Sequence, residues 1–220
     1  MKDDRIRECR EAIERCEEQH PVKGIFSDFN KAVVVGTLKD EPTPSVLDGF
    51  YDAQLIVERI SGIVDNVPVL FPSFPGMNEL HKGVKVSVAG EFCSRNTKDI
   101  NGKTHLKLFL RANTVHVFSD KADTNALYMD GCICKPPVFR TIPAGCEIVD
   151  VLLAVDGKNY IPCIAWWGLA REISSYPVGT QIQVYGRVQS REYFKRFNPE
   201  VNPDEGEIRE AYEVCILGKV

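Results

Sequence analysis

The chain has 220 residues, 44% of them hydrophobic and 26% charged, a balance that suits one large or two small globular domains, each able to bury a core. A net charge of −4 excludes a chain that is basic throughout, so a polyanion would have to be met by a local basic face. No apolar run approaches the ~18 residues of a membrane span, and the charged start MKDDRIRECREAIERCEEQH is neither a signal nor a transit peptide, so a cytoplasmic or nucleoid location is expected.

Spacing at the start of the chain predicts a helix over 3–20. Ile6, Cys9, Ile13 and Cys16 form one apolar stripe, Asp3 or Asp4 can cap it, and Pro21 ends it. The stripe is short for a coiled coil, so packing on its own domain is expected. Short strands follow at 30–38, 54–64 (with a turn at Ser61-Gly62), 67–71, 83–92 and 105–117, with a hairpin turn at Asn101-Gly102. The pattern then restarts, with strands at 127–134, 147–156, 160–167, 179–190 and 211–219.

Glycines expose the repeat. Gly36 and Gly131 lie 95 residues apart, while Gly83 and Gly179, and Gly90 and Gly186, lie 96 apart. Val115 and Val220 are 105 apart, and the excess falls in 194–209, a stretch rich in proline, asparagine and acid that reads as a mobile hairpin loop. Five strands with a short helix between the third and fourth describe an OB-fold, a Greek-key barrel that binds oligonucleotides or oligosaccharides on one face. The expected fold is therefore all-β with minor helix: an N-terminal helix in 1–24, a first OB-fold in 25–120 and a second in 126–220, joined near Ser119 to Asn125.

The chemistry concentrates in 163–193. Trp166 and Trp167 are adjacent on a strand and point to opposite faces; parity with Ile164 assigns Trp166 to the interior and leaves Trp167 for a ligand. Arg187, Gln189, Arg191 and Tyr193 alternate on one face with Val188 opposite, and Lys195 and Arg196 extend that basic, aromatic stripe. Aromatic faces beside arginines suit base stacking and phosphate neutralisation. Aligning Pro68 with Pro162 places Pro72 and Ser73 at the tryptophan positions of the first copy. That copy is expected to bind weakly and to serve in assembly, with Lys31, Lys39, Lys85 and Arg95 as candidate phosphate contacts. The eight cysteines include no CxxC, and no histidine stands near a cysteine pair of zinc-site spacing. No GxSxG, P-loop, HExxH or GxGxxG occurs either. Neither catalysis, nor a metal, nor a cofactor is expected.

The segment NKAVVVGTLKDEP, Asn30 to Pro42, is similar to the opening strand and Lys-Asp-x-Pro loop of the bacterial single-stranded DNA-binding protein family. Lys135 to Gly157 resembles the family's first hairpin, and Cys163 to Tyr193 resembles its central signature. The resemblance implies sequence-tolerant binding of single-stranded DNA in replication, recombination or repair. Trp167 holds the family's stacking position before the strand-3 glycine, Arg140 matches the arginine of the first hairpin, and Arg187, Arg191 and Tyr193 match the basic, aromatic hairpin of the last two strands. Two folds per chain imply a homodimer. The resemblance also allows replication or repair proteins as partners, although the family's glycine-rich tail with an acidic tip has no counterpart after the last strand. The alternative is an OB-fold protein-interaction or replication-restart accessory module.

Overall fold

The computed structural model describes residues 2–19, 26–98, 102–118, 122–198 and 202–220; Pro21, Asn101 and residues 119–121 of the junction expected at 119–125 lie outside them. Helix α1 (Lys2–Gln19) precedes strands β1 (Asn30–Leu38), β2 (Thr43–Pro44), β3 (Phe50–Glu58), β4 (Val64–Pro72), β5 (Lys85–Lys98) and β6 (Thr104–Phe118). The second set is β7 (Thr124–Ile133), β8 (Val138–Thr141), β9 (Glu147–Val155), β10 (Asn159–Trp166), helix α2 (Gly168–Ser174), β11 (Gln181–Asn198) and β12 (Asn202–Lys219).

Both sets close in the same way. β1 pairs with β3, β3 with β4, β4 in parallel with β6, β6 with β5, and β5 returns to β1. The same circuit runs through β7, β9, β10, β12 and β11. Closure removes the open sheet edges, and the alternating apolar residues fill the interior. These are two tandem OB-folds behind an N-terminal helix. In the second, Leu169, Ala170 and Ile173 of α2 plug one end of the barrel.

The matched glycines sit in matched surroundings. A Cβ on Gly36 would lie 2.6 Å from the Ile56 carbonyl oxygen, and one on Gly131 would lie 2.9 Å from that of Ala154, so each barrel closes across a bare backbone. The last two strands slip register at Ala89/Gly90 in one barrel and at Tyr185/Gly186 in the other. Beyond each bulge an asparagine from the first strand takes up the adjacent backbone. Asn30, fully buried, donates to the Phe92 carbonyl at 2.8 Å and accepts from the Phe92 N–H at 3.0 Å. Asn125 does the same for Val188 at 2.7 and 2.9 Å.

The barrels are joined by backbone. β1 runs antiparallel to β7, Asn30 opposite Met129 through Val35 opposite Thr124, which makes one continuous run β6-β5-β1-β7-β11-β12. α1 covers the outer face of that run, with Cys9, Ala12 and Ile13 against Val33, Ala89 and Ala126. Burial beneath the helix pushes the Cys9 thiol up to about 11. The helix packs on its own chain, but across both barrels rather than on the one domain its short stripe suggests.

Two serines fix the long hairpins reciprocally. The Ser94 N–H on β5 donates to Asn159 Oδ1 at 2.8 Å, and the Tyr160 N–H donates to Ser94 Oγ at 2.7 Å. The Ser190 N–H on β11 donates to Asp65 Oδ1 at 3.2 Å, and the Asn66 N–H donates to Ser190 Oγ at 2.9 Å. Each barrel thus holds the other's hairpin. The expected loop over 194–209 is instead a continuation of the β11–β12 ladder, with residues 199–201 outside the described set. Tyr193 and Phe194 favour extended backbone, and Lys195 stands directly opposite Glu207, an opposite-charge pair that supports the ladder.

The asparagine contacts carry a prediction. Asn30→Ala leaves a buried N–H and carbonyl without partners, and Asn125→Ala does the same in the second barrel. Each is expected to cost about 3 kcal/mol in urea unfolding, taking about 1–3 kcal/mol for each orphaned group. A loss below about 0.5 kcal/mol would refute the role given to these residues.

Candidate nucleic-acid interface

Residues directly opposite one another in a ladder share a face. On the outer wall of the second barrel, one row reads Arg140, Ile148, Trp166 and the next reads Val138, Asp150, Ile164, Cys215, Arg187. Val188, the neighbour of Arg187, points into the core. Arg187, the first residue of the stripe expected from the sequence, therefore lies on the outer wall, and Trp166 shares that wall.

Trp166 was expected inside the barrel. Its strand parity with Ile164 holds, but the interior belongs to the other parity, Cys163 and Ala165. Trp166 is half-buried against Ile142, Ile148, Ile164 and Leu217 on the outer wall. Trp167 follows neither parity, because β10 ends at Trp166. Its backbone turns to φ 57° and ψ −130°, and its indole is 52% exposed. L-residues seldom adopt that conformation, which stores about 1–3 kcal/mol of strain.

The two tryptophans, Arg187, Leu217 and Arg5 of α1 line a cleft of about 460 Å³ with no carboxylate among its lining residues. The Arg187 side chain makes no hydrogen bond or ion pair among the described residues, and its Nε is buried without a partner. Burial lowers the pKa of this guanidinium, yet arginine stays charged at any ordinary pH. A buried cation with free donors in an acid-free, aromatic cleft suits a phosphate oxygen.

The other expected contacts are arranged differently. Arg140 is exposed and bound bidentately by Asp150, at 2.7 and 3.1 Å. Arg191 lies 3.6 Å from Glu213 and sits over the Tyr193 ring at 5.9 Å. Tyr193 is not in the tryptophan cleft. It lines a larger cavity of about 660 Å³ facing the first barrel, together with Pro162 and Tyr212. Lys195 and Arg196 continue along the hairpin. Lys31 is placed away from both cavities, under α1, its Nζ 2.6 Å from Glu17. Lys85 pairs with Asp123 at 2.7 Å, and Arg95 lies over Phe109 at 5.9 Å.

The first barrel repeats the frame without the site. Register places Leu70 where the second barrel has Ile164, since Leu70 opposes Arg111 as Ile164 opposes Cys215. Pro72, Ser73 and Glu91 then occupy the positions of Trp166, Trp167 and Arg187, and Glu91 is 2.6 Å from Arg111. The larger cavity is bordered by Asp40, Glu41, Asp52 and Glu210. Sequence reasoning missed Arg5 and the wall position of Trp166; nothing local marks Arg5, but the Asn30/Asn125 and Ser94/Ser190 pairs repeat at the glycine offsets of 95 and 96 and were open to the same subtraction. No described helix is long and apolar enough to cross a membrane, and the described residues hold no group of three His, Cys, Asp or Glu placed to bind a metal.

Trp167 carries a stability prediction. Glycine accepts φ 57° without strain, so Trp167→Gly is expected to unfold in urea at or above the wild-type midpoint. Trp166→Ala, which opens the outer-wall cluster, is expected to lose about 2–3 kcal/mol. A Trp167→Gly protein as destabilised as Trp166→Ala would show that the exposed indole is a packing residue.

No family model and no curated protein matches the sequence. Among solved structures, the wild-type single-stranded DNA binding protein from Thermus aquaticus superposes with a TM-score of 0.67 at 21% identity, over 87% of this chain and 91% of that one. A deletion variant of the same protein gives 0.64 at 21% identity, over 87% and 93%. At that identity the likeness is one of fold, and it extends over both barrels: the chain is a tandem OB-fold protein.

Proposed function

We propose that this chain binds single-stranded DNA without sequence preference, on the outer wall of its second barrel. The acid-free cleft in which Trp166 and Trp167 meet the unpaired Arg187 carries the reading. Bases stack on the exposed indole of Trp167, and a phosphate takes the free donors of Arg187. Arg140 and Arg191 offer further phosphate contacts once their carboxylate partners yield, and Tyr193, Lys195 and Arg196 carry the strand along the β11–β12 hairpin. The likeness of fold to a single-stranded DNA binding protein supports the same reading. Binding of this kind suits replication, recombination or repair. A homodimer belongs to the proposal too, through a surface other than the seam sheet, whose outer face α1 occupies.

A protein-interaction role is favoured for the first barrel, where Glu91, Pro72 and Ser73 stand in place of the cation and the aromatics.

Titration with oligo(dT), followed by tryptophan fluorescence at 50 and 300 mM salt, tests the proposal. Quenching is expected, with affinity falling as salt rises. Trp167→Gly is expected to weaken binding about 5- to 100-fold, the equivalent of about 1–3 kcal/mol for one stacked base. Arg187→Gln is expected to weaken it and flatten the salt dependence. Absence of quenching at 50 mM salt, or binding indifferent to salt, would overturn the proposal.

A further inference from the structure

The tryptophan cleft has a wall that neither barrel supplies. It is lined by Arg5, from the first turns of α1, together with Arg187 and the two tryptophans. The position of Arg5 follows from how the helix is anchored. Cys9, Ala12 and Ile13 are buried on the seam sheet, and the Ile6 side chain lies over the bare backbone of Gly218, where any Cβ would overlap it. The helix therefore reaches past the seam to β12, and the residue before Ile6 lies at the mouth of the cleft.

Arg5 differs from its neighbour along the helix. Arg7 is held by Asp4 at 3.2 Å and lies 3.7 Å from Glu11. Arg5 is exposed and has no hydrogen-bond or ion-pair partner among the described residues. It shares the cleft with a second guanidinium, Arg187, that is also unpartnered. Burial is the main cause of the lowered Arg187 pKa; Cys215 and Asp65 oppose it, and the positive charges of Arg59 and, least, Arg5 add to it. Two like charges converging on one acid-free cleft cost free energy in the empty protein, and a bound anion removes that cost.

We infer that Arg5 is a nucleic-acid contact: with Arg187 it clamps one backbone phosphate of the strand whose base stacks on Trp167, so that the N-terminal helix forms part of the binding site as well as the cover of the seam sheet. The inference rests on the proposed binding of single-stranded DNA. It adds that the helix and the second barrel read the strand together, and that the helix must be docked for full affinity.

The test is a salt-dependent oligo(dT) titration of the full-length chain with three substitutions. Removing one phosphate contact lowers the slope of log K against log salt by about 0.7, which corresponds to about an eightfold loss of affinity at 50 mM salt that vanishes towards 1 M. Arg5→Gln is expected to show that loss and that slope change. Arg5→Lys, which keeps the charge, is expected to keep the slope. Arg7→Gln, which removes the same charge two residues along the helix and outside the cleft lining, is expected to match wild type in both. If Arg5→Gln binds as wild type does while Trp167→Gly is impaired, the helix contact is overturned and binding by the barrel stands. If Arg7→Gln and Arg5→Gln fall equally, the effect is one of net charge and the clamp is overturned. If wild type does not bind oligo(dT), both proposals fall. Unchanged urea midpoints for all three exposed substitutions are expected and separate loss of contact from loss of fold.

Discussion

The antiparallel pairing of β1 with β7 is the constraint on which the rest of the molecule depends. A barrel strand normally has two neighbours. β1 has β5 and β3 within its own barrel and β7 beyond it, because it holds β3 with one end, at Thr37 and Leu38, and β7 with the other, from Asn30 to Val35. Six residue pairs of backbone hydrogen bonding make two barrels into one body, where a side-chain interface alone would leave them free to rock. The seam also creates a broad apolar sheet face, which α1 covers. With the barrels locked, Ser94 and Ser190 can each reach across to the other barrel, so the long hairpins have fixed directions.

That frame is nearly two-fold symmetric, and the chemistry laid on it is not. The bulges, the latch asparagines, the latch serines and the close-approach glycines all recur, because each satisfies a backbone demand that both barrels share. Side chains on the outer wall answer no such demand and are free to diverge. Where the second barrel has Trp166, Trp167 and Arg187, the first has Pro72, Ser73 and Glu91. Glu91 and Arg111 close on one another at 2.6 Å, leaving no free cation at that place. The net charge of −4 is thus compatible with an anion site, because the carboxylates of the second barrel lie outside the cleft lining.

Most of the fold was legible in the sequence because its signals are local or periodic. Glycine offsets, strand alternation and the α1 stripe each depend on a few neighbouring residues. The misreadings share a cause, which is register. Proline, asparagine and acid mark a loop when read singly, but Lys195 lies opposite Glu207 once the hairpin is paired, and the ladder continues. Parity correctly grouped Trp166 with Ile164, yet which parity faces the core depends on how the whole barrel closes. Trp167 left the strand altogether at a positive φ that no periodicity reports. The arginines show the same limit in the site. Arg140, Arg187 and Arg191 look alike in sequence, but tertiary pairing gives Arg140 to Asp150, brings Glu213 beside Arg191, and leaves Arg187 alone.

That sorting decides how a strand would be held. A phosphate arriving at Arg140 must compete with a bidentate carboxylate, and the gain is the difference between two similar charge-assisted contacts. At Arg187 there is no competitor, and the phosphate supplies a partner to an Nε that is otherwise buried and unsatisfied, a group whose isolation costs about 1–3 kcal/mol. The strained backbone at Trp167 fits the stacking role, since a relaxed strand would have turned the indole to one wall or the other, and the positive φ holds it out beside the cleft.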